Sequence, residues 1–116
     1  MRREVKTIML AEMYNELVNG VLSALGDQVK RIVLYGSVAR GTDQPNSDID
    51  IAVFLTDCMN FEMEDRLSDV IVDLNLKYDR LFSVIDINDS VYTKWRNVNP
   101  FYQNVENEGI TLWQAV

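Results

Sequence analysis

Leu34 to Val53 reads LYGSVARGTDQPNSDIDIAV. An apolar run ends at Gly36-Ser37, Arg40-Gly41 follows, and a polar turn containing Pro45 leads to Asp48 and Asp50, which open a second apolar run. Ile49, Ile51, Val53 and Leu55 alternate with Asp48, Asp50, Ala52 and Phe54, the period of a strand, so the two carboxylates project from one face. Like charges beside a core repel each other and are costly to desolvate. Solvent must reach them, or something positive must sit between them.

The flanking sequence supplies the elements around that stretch. Lys30 to Tyr35 is a short β-branched run, read as a strand that ends at Gly36. Before it, Leu10, Met13, Leu17, Val21 and Leu25 recur at three- and four-residue steps, which predicts a long amphipathic helix from about residue 4 to 25, stopped by Gly26. Glu62 to Leu76 repeats the helical pattern through Met63, Leu67, Val70, Ile71 and Leu74, with acidic residues where a helix favours them. Leu81 to Ile87 reads as a third strand. A helix opens near Ser90, capped by Asp89 or Ser90, and another begins at Asn99-Pro100 and stops at Gly109. Ile110 to Trp113 closes the pattern as a short edge strand. The order predicts an α+β fold: a small mixed sheet with helices packed on it, and a parallel crossover between the second and third strands. Residues 1–116 are read as one domain.

Composition excludes several chemistries. The sequence has no histidine and a single cysteine, Cys58, so there is no Ser-His-Asp triad, no imidazole base and no zinc site of the usual kinds. Cys58 is read as a passive loop or core residue. A lone cysteine also fits a reducing compartment, and the expected location is the cytoplasm. The formal net charge of −7 argues against extensive nucleic-acid binding, which needs a basic face. No apolar run approaches the ~18 residues of a membrane span. The N-terminal MRREVKTIMLAEMYNELV is not read as a signal peptide, because Glu4, Glu12, Asn15 and Glu16 interrupt it at helical spacing.

What remains is an oxygen-ligated hard cation and a small anionic substrate. A glycine after a strand lets the backbone approach a ligand closely, and a helix starting there would leave the amides of Ser37 to Ala39 free for phosphate oxygens. Ser37 adds a hydroxyl donor. Arg40 either adds a charged one or pairs with Asp43 or another surface carboxylate. Mg²⁺ between Asp48 and Asp50 would offset their repulsion and bridge to a triphosphate. Met9, Met13, Met59 and Met63 are read as packing residues. Trp95, Trp113, Phe101 and Tyr102 are read as core or interface anchors, with a base-stacking platform as the alternative.

Gly36-Ser37-Val38-Ala39-Arg40-Gly41 followed by Ser47-Asp48-Ile49-Asp50-Ile51 resembles the signature of the minimal nucleotidyltransferase (MNT) family, part of the DNA polymerase β-type nucleotidyltransferase superfamily. The ending PFYQNVENEGITLW is similar to the helix, Glu-Gly and short strand common in that family. The resemblance implies Mg²⁺-dependent transfer of a nucleoside monophosphate, most often AMP from ATP, onto an acceptor. It assigns phosphate binding to Ser37 and metal binding to Asp48 and Asp50, while Gly36 and Arg40 are phosphate-binding candidates from the residues themselves. It also implies a third carboxylate from a neighbouring strand, with Asp73, Asp79 and Asp86 as candidates. Asp79 is the choice, because a partner of Asp48 and Asp50 on a parallel strand should lie near that strand's start. Asp86 falls seven residues further on, roughly 23 Å along an extended chain. The resemblance further implies a HEPN-domain partner protein, with this chain as the antitoxin of a toxin–antitoxin pair. A homo-oligomer is compatible with the sequence. The alternative is a catalytically silent module that keeps the fold and masks its partner.

Overall fold

The computed structural model describes residues 3–116, with side chains described from residue 10 onward, so the packing expected of Met9 lies outside the described residues. α1 (Arg3–Leu25) runs into a single 3-10 turn, Gly26–Gln28, and Gly26 has the left-handed φ of 65° expected of a helix stop. There follow β1 (Val29–Tyr35), α2 (Gly36–Arg40), β2 (Ile49–Leu55), α3 (Phe61–Tyr78), β3 (Phe82–Asn88), α4 (Asp89–Trp95), α5 (Pro100–Glu108) and β4 (Ile110–Gln114). The fold is mixed α/β, as expected.

Among the described residues the strands form one mixed sheet in the order β3-β2-β1-β4. β1 pairs antiparallel with β2 and with β4, and β2 pairs parallel with β3. The parallel pair is joined through α3, since a parallel connection must return the chain to the same end of the sheet. The caps of α5 are those the sequence predicts. Asn99 accepts from the Tyr102 amide with Pro100 at the first helical position, and Gly109 ends α5. At α4 the cap is Asn88, which accepts from the Val91 amide, so the helix opens at Asp89 rather than being capped by it. α3 is capped by Asn60 through the Met63 amide.

The two faces of the sheet carry separate cores. On one face α1 and α3 press Met13, Leu17, Val21, Leu67 and Leu74 onto Ile32, Leu34, Ile49, Ile51, Val53, Leu55 and Phe82. On the other, Tyr92 of α4 and Val105 of α5 cover Val33, Ala52, Phe54 and Ile87. β2 is therefore buried on both faces beyond Asp50. Trp113 and Tyr102 pack against these cores, whereas Trp95 and Phe101 are 47% and 40% exposed, so they are not core anchors. Cys58 is free and exposed in the loop before α3. No helix among the described residues is long and apolar enough to cross a membrane.

The second core depends on Phe54. Its ring meets Tyr92 edge-on at 4.7 Å between centroids, and the Arg31 guanidinium lies 4.3 Å above it. Phe54→Ala is expected to cost about 3–5 kcal/mol in urea unfolding. By contrast, Leu76→Ala on the exposed side of α3 should stay within about 0.5 kcal/mol of the parent.

Candidate active site

The β1–β2 register sets Tyr35 opposite Asp50, so the Gly36-Ser37 turn begins beside the carboxylate. Gly36 has φ 77°, a region costly for any residue with a side chain. A Cβ at Gly36 would also overlap Oδ2 of Asp50. Glycine is thus required by the backbone conformation, and its missing side chain leaves the Asp50 carboxylate where it lies. α2 starts at Gly36 itself, so its first-turn amides have no carbonyl four residues earlier to bond. Gly41 ends it with φ 75°, its amide donating to the Val38 carbonyl at 3.2 Å.

The loop between α2 and β2 is held by its own polar residues. The Gln44 amide donates to Ser47 Oγ at 2.8 Å, and the Ser47 amide returns to the Gln44 carbonyl at 3.0 Å. The segment ahead of β3 clamps the start of β2, with the Ile49 amide donating to the Leu81 carbonyl at 2.8 Å. Asp48 is exposed at the mouth and Asp50 is half-buried behind it. Burial pushes the Asp50 carboxyl above the ordinary carboxylate range, the Asp48 charge adds to the rise, and the Arg40 guanidinium opposes it. Burial likewise raises the Tyr35 phenol, with the Asp50 charge contributing.

The predicted residues are brought together in part. Gly36, Ser37, Asp48, Asp50 and Arg40 gather at one end of the sheet, at the β1–α2 turn and the start of β2. Arg40 makes the second of its two expected contacts, with a surface carboxylate: Nη1 donates to Oε2 of Glu108 at 2.8 Å. Asp79 does not join the pair. It ends α3 in a left-handed conformation, φ 50°, ahead of the strand, and lines a cleft with Pro45, Ser47, Asn75 and Arg80. Among the described residues no three Asp, Glu, Cys or His side chains form a metal-binding group. Asp79 does lie just ahead of the start of β3, as expected, but as the left-handed cap of α3 it is not grouped with Asp48 and Asp50. Tyr35 and Glu108 belong to no site pattern in the sequence. Glu108 was recoverable only as part of the Glu-Gly ending.

Two carboxylates close enough to feel each other's charge, with a glycine cradle against one of them, fit a hard divalent cation shared with phosphate oxygens. They do not enclose one by themselves. Comparison with known proteins agrees in kind. The model of the family "Polymerase beta, Nucleotidyltransferase" matches residues 18–114. The chain belongs to that family. Two proteins of Methanocaldococcus jannaschii, both provisionally named protein adenylyltransferases, are similar to it. One is 27% identical over 89% of this chain and 98% of its own length, the other 34% identical over 84% and 92%. A crystal structure of a toxin–antitoxin with AMP-PNP matches 88% of this chain and 73% of that one, at 25% identity and TM-score 0.60. A Shewanella oneidensis complex of a tri-AMPylated HEPN toxin with its MNT antitoxin matches 89% and 71%, at 21% identity and TM-score 0.55, a likeness of fold. The resemblance carried by residues 36–51 therefore holds, and the chain is a nucleotidyltransferase.

Two outcomes test this geometry. Gly36→Ala should lose about 1–3 kcal/mol from the positive φ alone, measured by thermal melting. Asp50→Asn should melt above the parent at neutral pH. The raised carboxyl binds protons more tightly folded than unfolded, so its penalty is complete above the raised pKa. That penalty disappears below the ordinary value of 3.8, and the two melting curves should converge there.

Proposed function

We propose that this nucleotidyltransferase moves AMP from ATP to a hydroxyl of a partner protein, and that the partner is a HEPN-domain toxin for which the chain is the antitoxin. The observation that carries the reading is the approach of the Gly36-Ser37 turn to Asp50, which makes one locus of the phosphate cradle and the carboxylates. The names of the two archaeal relatives support protein adenylylation, and the solved toxin–antitoxin complexes support the partner class.

In this reading Gly36 admits the triphosphate to the backbone, and the Ser37 amide and hydroxyl donate to its oxygens. Arg40 shares its guanidinium between Glu108 and the phosphates, presenting more than one donor edge. Asp48 and Asp50 hold Mg²⁺, which when bound neutralises phosphate charge and favours in-line displacement. The acceptor oxygen bonds to the α-phosphorus, the bond from that phosphorus to the α–β bridging oxygen breaks, and pyrophosphate leaves. The hydroxyl proton passes to solvent or to a carboxylate of the pair. A second reading, masking without transfer, is favoured by one observation, the lack of a three-carboxylate group among the described residues.

The test uses the chain co-purified with its partner, Mg²⁺ and α-labelled ATP. Label should appear on the partner and fall to background with Asp48→Asn plus Asp50→Asn. Labelling that survives the double substitution would overturn the assigned site. Toxin neutralisation without any labelling would establish masking instead.

A further inference from the structure

Asp50 has a neighbour on each side in the sheet: Tyr35 on β1 and, through the parallel pairing, Ser83 on β3. The faces of β3 are fixed by its packing. Phe82 and Val84 meet the core under α1 and α3, while Ile85 and Ile87 meet the opposite core with Ala52 and Phe54. Ser83 alternates onto that second face, the face of Asp50, and is half-buried. The side chain that β3 sets level with Asp50 is therefore a neutral hydroxyl. The next on that face, Ile85, is apolar.

The carboxylates near β3 lie elsewhere. Asp79 caps α3 before the strand begins. Asp86 is exposed, pairs with Val53, and shares the parity of Phe82 and Val84, so it belongs to the other face. The centre thus presents two anionic side chains. Affinity of an oxygen-ligand site for a divalent cation follows the number of charged ligands and their rigidity, and Asp48 is exposed on a loop.

We propose that Ser83 makes this centre dependent on its nucleotide for the metal: the cation enters together with the triphosphate, whose oxygens supply the charge that a carboxylate at position 83 would have supplied. This rests on the nucleotide reading above and adds to it an order of assembly. The chain without nucleotide holds no tightly bound cation, and the site is assembled only when both components are present.

The experiment follows Mn²⁺ binding to the full chain by water-proton relaxation or calorimetry, with and without a β,γ-imido ATP analogue. The parent should bind Mn²⁺ weakly alone and at least ~10-fold more tightly with the analogue. Ser83→Asp should bind Mn²⁺ at least ~10-fold more tightly than the parent without nucleotide, and Ser83→Asn, of matching shape and no charge, should not. Tight Mn²⁺ binding by the parent alone, or a folded Ser83→Asp without gain, overturns the proposal and leaves the nucleotide reading standing. Absence of analogue binding with or without Mn²⁺ overturns both. Should Ser83→Asp fail to fold, Asp79→Asn decides in its place. Unchanged Mn²⁺ binding supports a two-carboxylate centre, and a ~10-fold loss shows a third carboxylate ligand and overturns it.

Discussion

The site depends on one close approach: the Asp50 carboxylate lies against a Gly36 backbone that has no side chain to displace it. The β1–β2 ladder brings the two together, and the left-handed turn at Gly36 sends the chain into α2 instead of across the carboxylate. Residues on either side inherit their positions from this contact. Ser37 and Arg40 follow from the direction of α2, and Asp48 from the point where the loop re-enters the sheet. A half-buried carboxyl facing a second charge is unfavourable on its own, and strain of this kind is retained where a ligand relieves it.

The remainder of the molecule holds that contact still. The larger core, under α1 and α3, anchors β2 through Ile49, Ile51, Val53 and Leu55. The smaller one, under α4 and α5, reaches the site by a different route, because α5 carries Val105 into the core and Glu108 to Arg40. Tyr35 and Phe101 meet edge-on at 5.6 Å and close the gap between the two regions. Packing on the C-terminal side is thus linked to the orientation of a cationic side chain beside the carboxylates.

Much of this was legible in the sequence. Alternation in Ile49 to Leu55, helical periodicity around Met13 and Leu67, and the Asn99-Pro100 cap each report a local preference that tertiary packing did not override. The Gly-Ser and Asp-x-Asp pairs were legible because their spacing is short and bracketed by strands. What escaped depends on register, which no local pattern encodes. The choice of Asp79 rested on closeness to a strand start, but that closeness did not bring it to the carboxylate pair, because the residue turns the chain out of α3. Ser83 was invisible for the complementary reason: a serine in an apolar run gains meaning only once β3 is aligned with β2. Glu108 lies 68 residues from Arg40, beyond any motif.

β1 is interior in space, yet its two neighbours are made at very different times. β2 follows it within a short stretch of chain, whereas β4, residues 110–114, comes after both cores have been encoded. Until residues 110–114 are made, a sheet begun by β1 and β2 has an open edge on β1, a template for pairing with other extended chains. The side chains that flank this edge include Arg31 and Lys30, whose charges discourage such pairing until the last strand arrives to seal it.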